Sequence, residues 1–202
     1  MSTAKRRYAA PKRQKAAADT RAGLLAAACA LLGSKEGVNA LTIDAVAARA
    51  RTSRMTVYNP FGSKDEMLEA LFIDLARRGG LSAVPEVLKI DDPAEALDRL
   101  IDTLGAFWSS QPIVLRRLRA LAALDPVIEK AIAERDMRRR QLLATLLVRL
   151  LPAHPQRRAD VLNILWALTS LEGFRVVAGP GHSIREATAL IQRTARALIG
   201  GQ

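Results

Sequence analysis

Few side chains in this 202-residue chain are reactive in themselves. Cys29 is the single cysteine, so no internal disulfide can form, and no second Cys or nearby His gives it metal-ligand spacing. Placed after three alanines on an apolar stretch, it reads as a small core residue. His154 and His182 lie near turns and share no ligand spacing, which points to neither a metal nor a catalytic base. No nucleophile elbow, phosphate-binding Gly loop or paired acidic motif is present, so the sequence assigns no catalytic residue, no metal ligand and no cofactor, and an enzyme is the least favoured class. The chemistry on offer is electrostatic. Lys and Arg number 31 against 20 Asp and Glu, a net charge of +11. Residues 1–22 hold Lys5, Arg6, Arg7, Lys12, Arg13, Lys15 and Arg21 against Asp19 alone, so more than half of the excess lies in the first tenth of the chain. Such an arm attracts a polyanion, because phosphate backbones release condensed counterions to it; an anionic membrane surface would attract it too.

Two short helical stretches, Thr42–Ala50 and Ser53 to about Tyr58, are separated by only two residues. That is the layout of a helix-turn-helix, which needs a small residue where the helices touch and a buried apolar anchor on the second helix. Ala47 is the small contact, Val46 and Ala50 are its neighbours, and Val57 is the anchor. By these residues alone an ordinary helical hairpin fits equally well.

The elements around this segment are helical too. Ala, Leu and Arg dominate the chain, half of it is apolar, and no stretch alternates with the two-residue period of a strand. Start signals recur: Ser63 with Glu66, Asp92 with Pro93, Asp125 with Pro126, Pro155, and Ser183 with Glu186. Stops follow at Gly79-Gly80, Pro112, Pro152, Gly179-Pro180-Gly181 and Gly200. The expectation is an all-α fold of about nine helices, with one continuous helix from Pro155 through Phe174. The basic start followed by Leu24–Leu32 and Cys29 superficially matches a signal peptide or lipoprotein site. However, Leu24, Leu25, Ala28, Leu31 and Leu32 trace one face of an amphipathic helix. No run reaches the roughly 18 apolar residues of a membrane span. A protein of the reducing cytosol, without a membrane partner, is expected.

A longer constellation is more specific. Arg21-Ala22-Gly23-Leu24-Leu25-Ala26-Ala27-Ala28, then Gly37, then Leu41-Thr42-Ile43-Asp44-Ala45-Val46-Ala47, then Ser53 through Leu68 resembles the amino-terminal domain of the tetracycline-repressor (TetR) family of bacterial transcriptional regulators, over about residues 20–72. The resemblance implies a DNA-binding domain of three helices, followed by a variable region that binds a small inducer and dimerises through its last two long helices. It divides the chain into a flexible basic arm at 1–20, a helix-turn-helix domain at 21–68 and a helical ligand-binding and dimerisation domain at 69–202. Position by position, it makes Ser53–Asn59 the recognition helix in the major groove, with Arg54, Met55 and Thr56 facing base edges. Thr42, Tyr58 and Lys64 would hold phosphates, and Arg51, Thr52, Ser53 and Asn59 complete the DNA-facing set. Three residues depart from the family pattern. Arg51 stands in the turn where Gly is usual, so either a residue with a Cβ accepts the tight turn or the turn relaxes. Met55 replaces a small residue or Pro. Pro60 replaces a common His, removing an N–H and a phosphate contact.

In the remainder, Arg116, Arg117, Arg119 and Arg138–Arg140 read as solvated helix faces. Leu104, Phe107, Trp108 and Arg116 flank the Pro112 break, a reasonable place for an inducer cavity and equally for plain core. Leu162, Leu165, Trp166, Thr169, Gly173 and Val176 form a wide stripe. The resemblance makes that stripe a dimer seam, together with Ile184, Leu190, Ile191 and Leu198; the alternative is burial within one subunit. The leading expectation is a homodimeric regulator, a repressor that binds a palindromic double-stranded DNA operator and releases it to an inducer. The alternative is a helical small-molecule-binding or interaction module with only non-specific nucleic-acid affinity.

Overall fold

Short-range capping sets most helix starts in the computed structural model, which describes residues 3–200, with side chains from Lys12 onward. The order is α1 (Thr3–Gly33), a 3₁₀ turn (Gly37–Ala40), α2 (Ile43–Arg49), α3 (Arg54–Phe61) and α4 (Lys64–Arg78). A second 3₁₀ turn (Leu81–Ala83) leads to α5 (Val84–Val87), α6 (Pro93–Ser110), α7 (Pro112–Ala122) and α8 (Pro126–Leu150). The chain ends with α9 (Pro155–Leu168), α10 (Leu171–Ala178) and α11 (Ile184–Gly200). The described residues form no strand, and their eleven helices stand against the nine or so expected. The side chains of Asp92 and Asp125 accept from backbone N–H groups of the first turns of α6 and α8, with proline next to each cap. Oxygen acceptors there satisfy donors that a helix start otherwise leaves unpaired. Ser183 and Glu186 exchange hydrogen bonds as a full capping box, and donation from the Ser183 N–H and hydroxyl holds the Glu186 carboxyl below its ordinary value.

The stretch from Pro155 to Phe174 breaks in two. The axes of α9 and α10 differ by 77°. Ser170 starts the new helix by accepting from Gly173 N–H at 2.9 Å. A Cβ on Gly173 would collide with the Ala167 and Leu168 carbonyls, so glycine is required for this bend rather than for the approach of a partner.

The arm also differs from expectation. Helix α1 is continuous from Thr3, so the residues expected as a flexible arm through 20 are helical from that point on. Lys, Arg, Gln and Ala fill 12–18, all residues of high helix propensity. Side chains 12–23 are all exposed, whereas those of Lys5, Arg6 and Arg7 lie outside the described residues. One stretch of this helix, Lys12–Gly33, does reach the length and mean hydropathy (1.3) of a membrane span, which the run-by-run reading did not register. Its apolar face is already occupied: Leu24, Leu25, Ala27, Ala28 and Leu32 are buried, and α1 packs on the first 3₁₀ turn and α2.

Two compact units divide the chain, Met1–Asp74 and Leu75–Gln202, with the division inside α4. In the second unit α6 is central. It packs on α11, α8 and α10, and α8 also carries α7 and α9. Leu97, Leu100, Ile101, Leu104, Phe107, Leu143, Leu146, Leu147, Leu165 and Phe174 form its core.

Candidate nucleic-acid interface

Helices α2 and α3 meet as a helix-turn-helix. Val46, Ala47 and Val57 are buried where they touch. Phe61 is buried at the end of α3, and the Arg21 guanidinium of α1 stacks 5.1 Å from the centre of its ring. One member of the basic arm thus has a packing role.

The turn ends α2 as a Schellman motif, with Arg51 N–H donating to Ala48 O at 3.1 Å and Thr52 N–H to Ala47 O at 2.9 Å. Arg51 has φ +53°, the one non-glycine positive φ among the described residues. The turn therefore stays tight and the side chain accepts it, at a cost of roughly 1–2 kcal/mol for an L residue. Replacing Arg51 by glycine removes that strain but adds unfolded-state entropy, so a net stabilisation of roughly 0.5–1 kcal/mol is expected. Because Arg51 is exposed beside α3, the helix expected to meet DNA, R51G should also bind duplex DNA more weakly, with a shallower salt dependence. Thermal melting and a salt titration check the two opposite effects.

Helix α3 presents one face to solvent because its other face is committed to Val57 and Phe61. Ser53 caps it: Ser53 Oγ accepts from Thr56 N–H at 3.2 Å and shares a hydrogen bond with Thr56 Oγ1 at 2.9 Å. Arg54, Met55 and Asn59 are exposed, and Met55, at 65%, puts a large apolar side chain in water without a packing reason. Tyr58 and Thr52 are half-buried. Thr42 caps α2, its exposed Oγ1 accepting from Ala45 N–H at 3.1 Å, which leaves its hydroxyl hydrogen free to donate. Lys64 opens α4, behind the cap in which Ser63 Oγ accepts from Glu66 N–H at 3.1 Å. Pro60 sits inside α3 near its end, where Gly62 (φ +78°) closes the helix. The expected set therefore gathers on this unit, with Arg54, Met55, Asn59, Ser53, Arg51 and Thr42 exposed and Thr56, Thr52, Tyr58 and Lys64 half-buried. Sequence reasoning missed Asp44, whose Oδ1 pairs with Arg54 Nε at 2.9 Å.

The second unit regroups its expected residues more heavily. Leu104, Phe107 and Trp108 are buried whereas Arg116 is exposed, so the four do not share one environment. Trp108 Nε1 donates to Thr169 O at 3.1 Å, as a core tryptophan should. A cavity of about 590 Å³ opens instead between α6 and α11, lined by Asp102, Gly105, Ala106, Ser109, Ser110, Arg185 and Thr188. Of the expected seam, Leu165, Thr169 and Ile191 are buried within the chain itself. Leu162, Trp166, Gly173, Ile184 and Leu198 are half-buried, whereas Val176 (78%) and Leu190 (42%) stay exposed, with the unanticipated Ile164 (41%).

The arginines of α7 and α8 are not all solvated. Arg139 is buried, donating to Thr169 Oγ1 at 2.7 Å and to Trp166 O, and Asp136 lies between it and Arg119, 3.5 Å and 2.8 Å away. Burial pulls the Arg139 guanidinium below its ordinary value, and Asp136 opposes that shift. Arg140 stacks on Trp166, 5.3 Å from its ring centre, so the Arg138–Arg140 run splits between core, aromatic face and solvent.

Comparison with known proteins agrees with this geometry. Residues 24–71 match the bacterial regulatory proteins of the tetR family. Uncharacterized HTH-type transcriptional regulators of Mycobacterium bovis and Mycobacterium tuberculosis are 36% identical over 107 residues. The match spans about half of this chain and about half of each relative, 52% in both cases. Among solved structures, a TetR transcription regulator of Haloarcula marismortui superposes with TM-score 0.71 at 20% identity, covering 92% of this chain and 98% of that one. The TetR family regulator PfmR of Thermus thermophilus gives 0.63 at 24%, covering 88% and 97%. A chain of Saccharomonospora viridis, described as a transcriptional regulator and solved with choline, gives 0.68 at 21%, covering 87% and 95%. These structural likenesses carry the fold, and the matched segment is the helix-turn-helix described above. Over that segment the chain is similar to the tetR family of bacterial regulatory proteins.

Proposed function

We propose that this protein is a cytoplasmic, homodimeric, sequence-reading DNA-binding regulator, a repressor whose operator is a palindrome and whose affinity falls when a small ligand occupies its second unit. The observation that carries this reading is the exposed face of α3. Arg54, Met55 and Asn59 stand in water while Val57 and Phe61 hold the opposite face in the core. A helix so mounted offers donors and one apolar tip to a major groove: Arg54 a two-pronged donor for guanine O6 and N7, and Met55 a contact for a thymine methyl. Thr42, Tyr58 and Lys64 donate to phosphates, and the Ser53–Thr56 hydroxyl pair serves either base edges or backbone.

Dimerisation is supported by Ile164, Val176 and Leu190, apolar side chains left in solvent on three consecutive helices. Two recognition helices reach successive major grooves when they lie about 34 Å apart, and a two-fold axis then demands a palindrome. A ligand that favours a different separation lowers DNA affinity by its differential binding to the two states. The cavity between α6 and α11 offers room for such a ligand, and the choline bound to the Saccharomonospora viridis protein supports a small organic occupant.

Selection of bound molecules from randomised duplex DNA at near-physiological salt, followed by sequencing, tests the reading. An enriched palindrome with half-sites about one helical turn apart is expected. Salt-sensitive binding with no enriched motif would replace it with a module of only non-specific nucleic-acid affinity.

A further inference from the structure

Arg54 is not a free arginine. Asp44, in the first turn of α2, forms an ion pair with it, Oδ1 lying 2.9 Å from Nε, and both side chains are nearly two-thirds exposed (62% and 66%). An ion pair this exposed adds little to folding stability. Its consequence is directional. A guanidinium offers donors along two edges, and engaging Nε leaves the two terminal nitrogens, Nη1 and Nη2, as a parallel pair. That pair is what guanine O6 and N7 accept. The flexible stem of an unpaired arginine reaches a phosphate as readily as a base, and ordering it costs side-chain entropy on binding. An arginine held by a carboxylate has met part of that cost beforehand, and it must break an ion pair to swing to the backbone. The carboxylate also sits on the DNA-facing unit as a negative charge, repelling any duplex that leaves Arg54 unengaged.

We propose, building on the DNA-reading role above, that Asp44 is a specificity-determining positioning residue: it holds Arg54 end-on toward guanine and disfavours duplexes that lack guanine at that position. Two properties separate this from a purely structural role. Asp44 also complements the start of α2, next to the Thr42 cap, so its removal can cost some helix stability. That cost alone leaves base preference unchanged. A mere excess of negative charge would weaken all duplexes by one factor, whether or not Arg54 is present.

The test uses the full-length chain as wild type, D44A, D44N, R54A and D44A/R54A, each with its melting temperature measured. Affinity is measured for the duplex selected by the wild type and for the same duplex with one guanine per half-site replaced. For D44A, discrimination between the two duplexes is expected to fall about two- to fivefold, while affinity for the replaced duplex rises. D44N, which keeps an acceptor without the charge, should fall between D44A and wild type. In the R54A background, D44A should leave discrimination unchanged. A common factor on both duplexes overturns the proposal, as does an equal loss of discrimination with Arg54 absent, which would mean that Asp44 itself reads a base. If the wild type enriches no sequence at all, it is the DNA-reading role that fails, and this proposal falls with it.

Discussion

Asp136→Ala is expected to lower the unfolding free energy by about 3 kcal/mol, the lower part of the range for breaking a buried ion pair. Asp136 is only partly buried, its side chain 20% exposed, but it is the carboxylate between two guanidiniums, Arg119 at 25% and Arg139 at 7%. Without it Arg139 keeps its bonds to Thr169 Oγ1 and Trp166 O, yet it faces Arg119 with no opposing charge. A buried cation cannot recover its hydration, so repulsion and desolvation act together. Trp166 reports the event, because its Nε1 donates to the Asp136 carbonyl and its ring stacks on Arg139 and Arg140. Urea unfolding followed by tryptophan fluorescence measures the loss, with the exposed Asp160→Ala as control, expected within about 0.5 kcal/mol of wild type. Adding Arg119→Ala to Asp136→Ala should restore part of the stability, since it removes the like charge. Losses in Asp136→Ala no larger than in the control would show that the three residues do not act as a cluster.

The second large effect is on recognition. Arg54→Ala should reduce discrimination at one base position per half-site by roughly tenfold to a hundredfold, as expected for one bidentate base contact. Binding to random duplex should change much less. Lys64→Ala should do the reverse, weakening every sequence alike and lowering the salt slope by about 1 per protomer, because a phosphate contact carries no base information. Both residues are cationic and lie ten positions apart around α3 and the start of α4, so a net-charge explanation predicts the same result for each. Equal losses on selected and random DNA for both variants would refute the division of labour. The comparison is made at fixed salt, with the melting temperature of each variant confirming a folded chain.

The legibility of this protein was uneven, and particular residues show why. The capping residues Ser53, Ser63, Asp92, Asp125 and Ser183 all start helices where expected. Caps act on backbone only two or three residues away, so a local string of residues suffices to read them. The packing of Val46, Ala47 and Val57 was legible for a related reason, since two short helices across a tight turn have few ways to meet. Arg51 is the sharpest local case. A residue with a Cβ in a turn that wants glycine had two outcomes, and the structure keeps the turn and strains the residue.

Elsewhere local pattern misled. The apolar stripe from Leu162 to Phe174 keeps helical spacing across the 169–170 break, so periodicity alone could not show a 77° bend. Arg138, Arg139 and Arg140 are one charge run in the sequence. Which of them enters the core depends on the rotation of α8 against α9, and only packing sets that rotation. The same holds for the seam: Leu165 and Val176 are both apolar, but one is fully buried in its own bundle and the other is left in water.

By itself, then, the sequence determined an all-α chain, the helix-turn-helix between Thr42 and Asn59 and the likeness of that segment to the tetR family, because each rests on residues close along the chain. Tertiary structure alone decided that Arg139 is a core residue donating to Thr169, that the cavity opens between α6 and α11, and that Asp44 holds Arg54. Each of these joins residues of different elements, and burial, Coulomb attraction and hydrogen bonding act through distance in space, which chain spacing does not report.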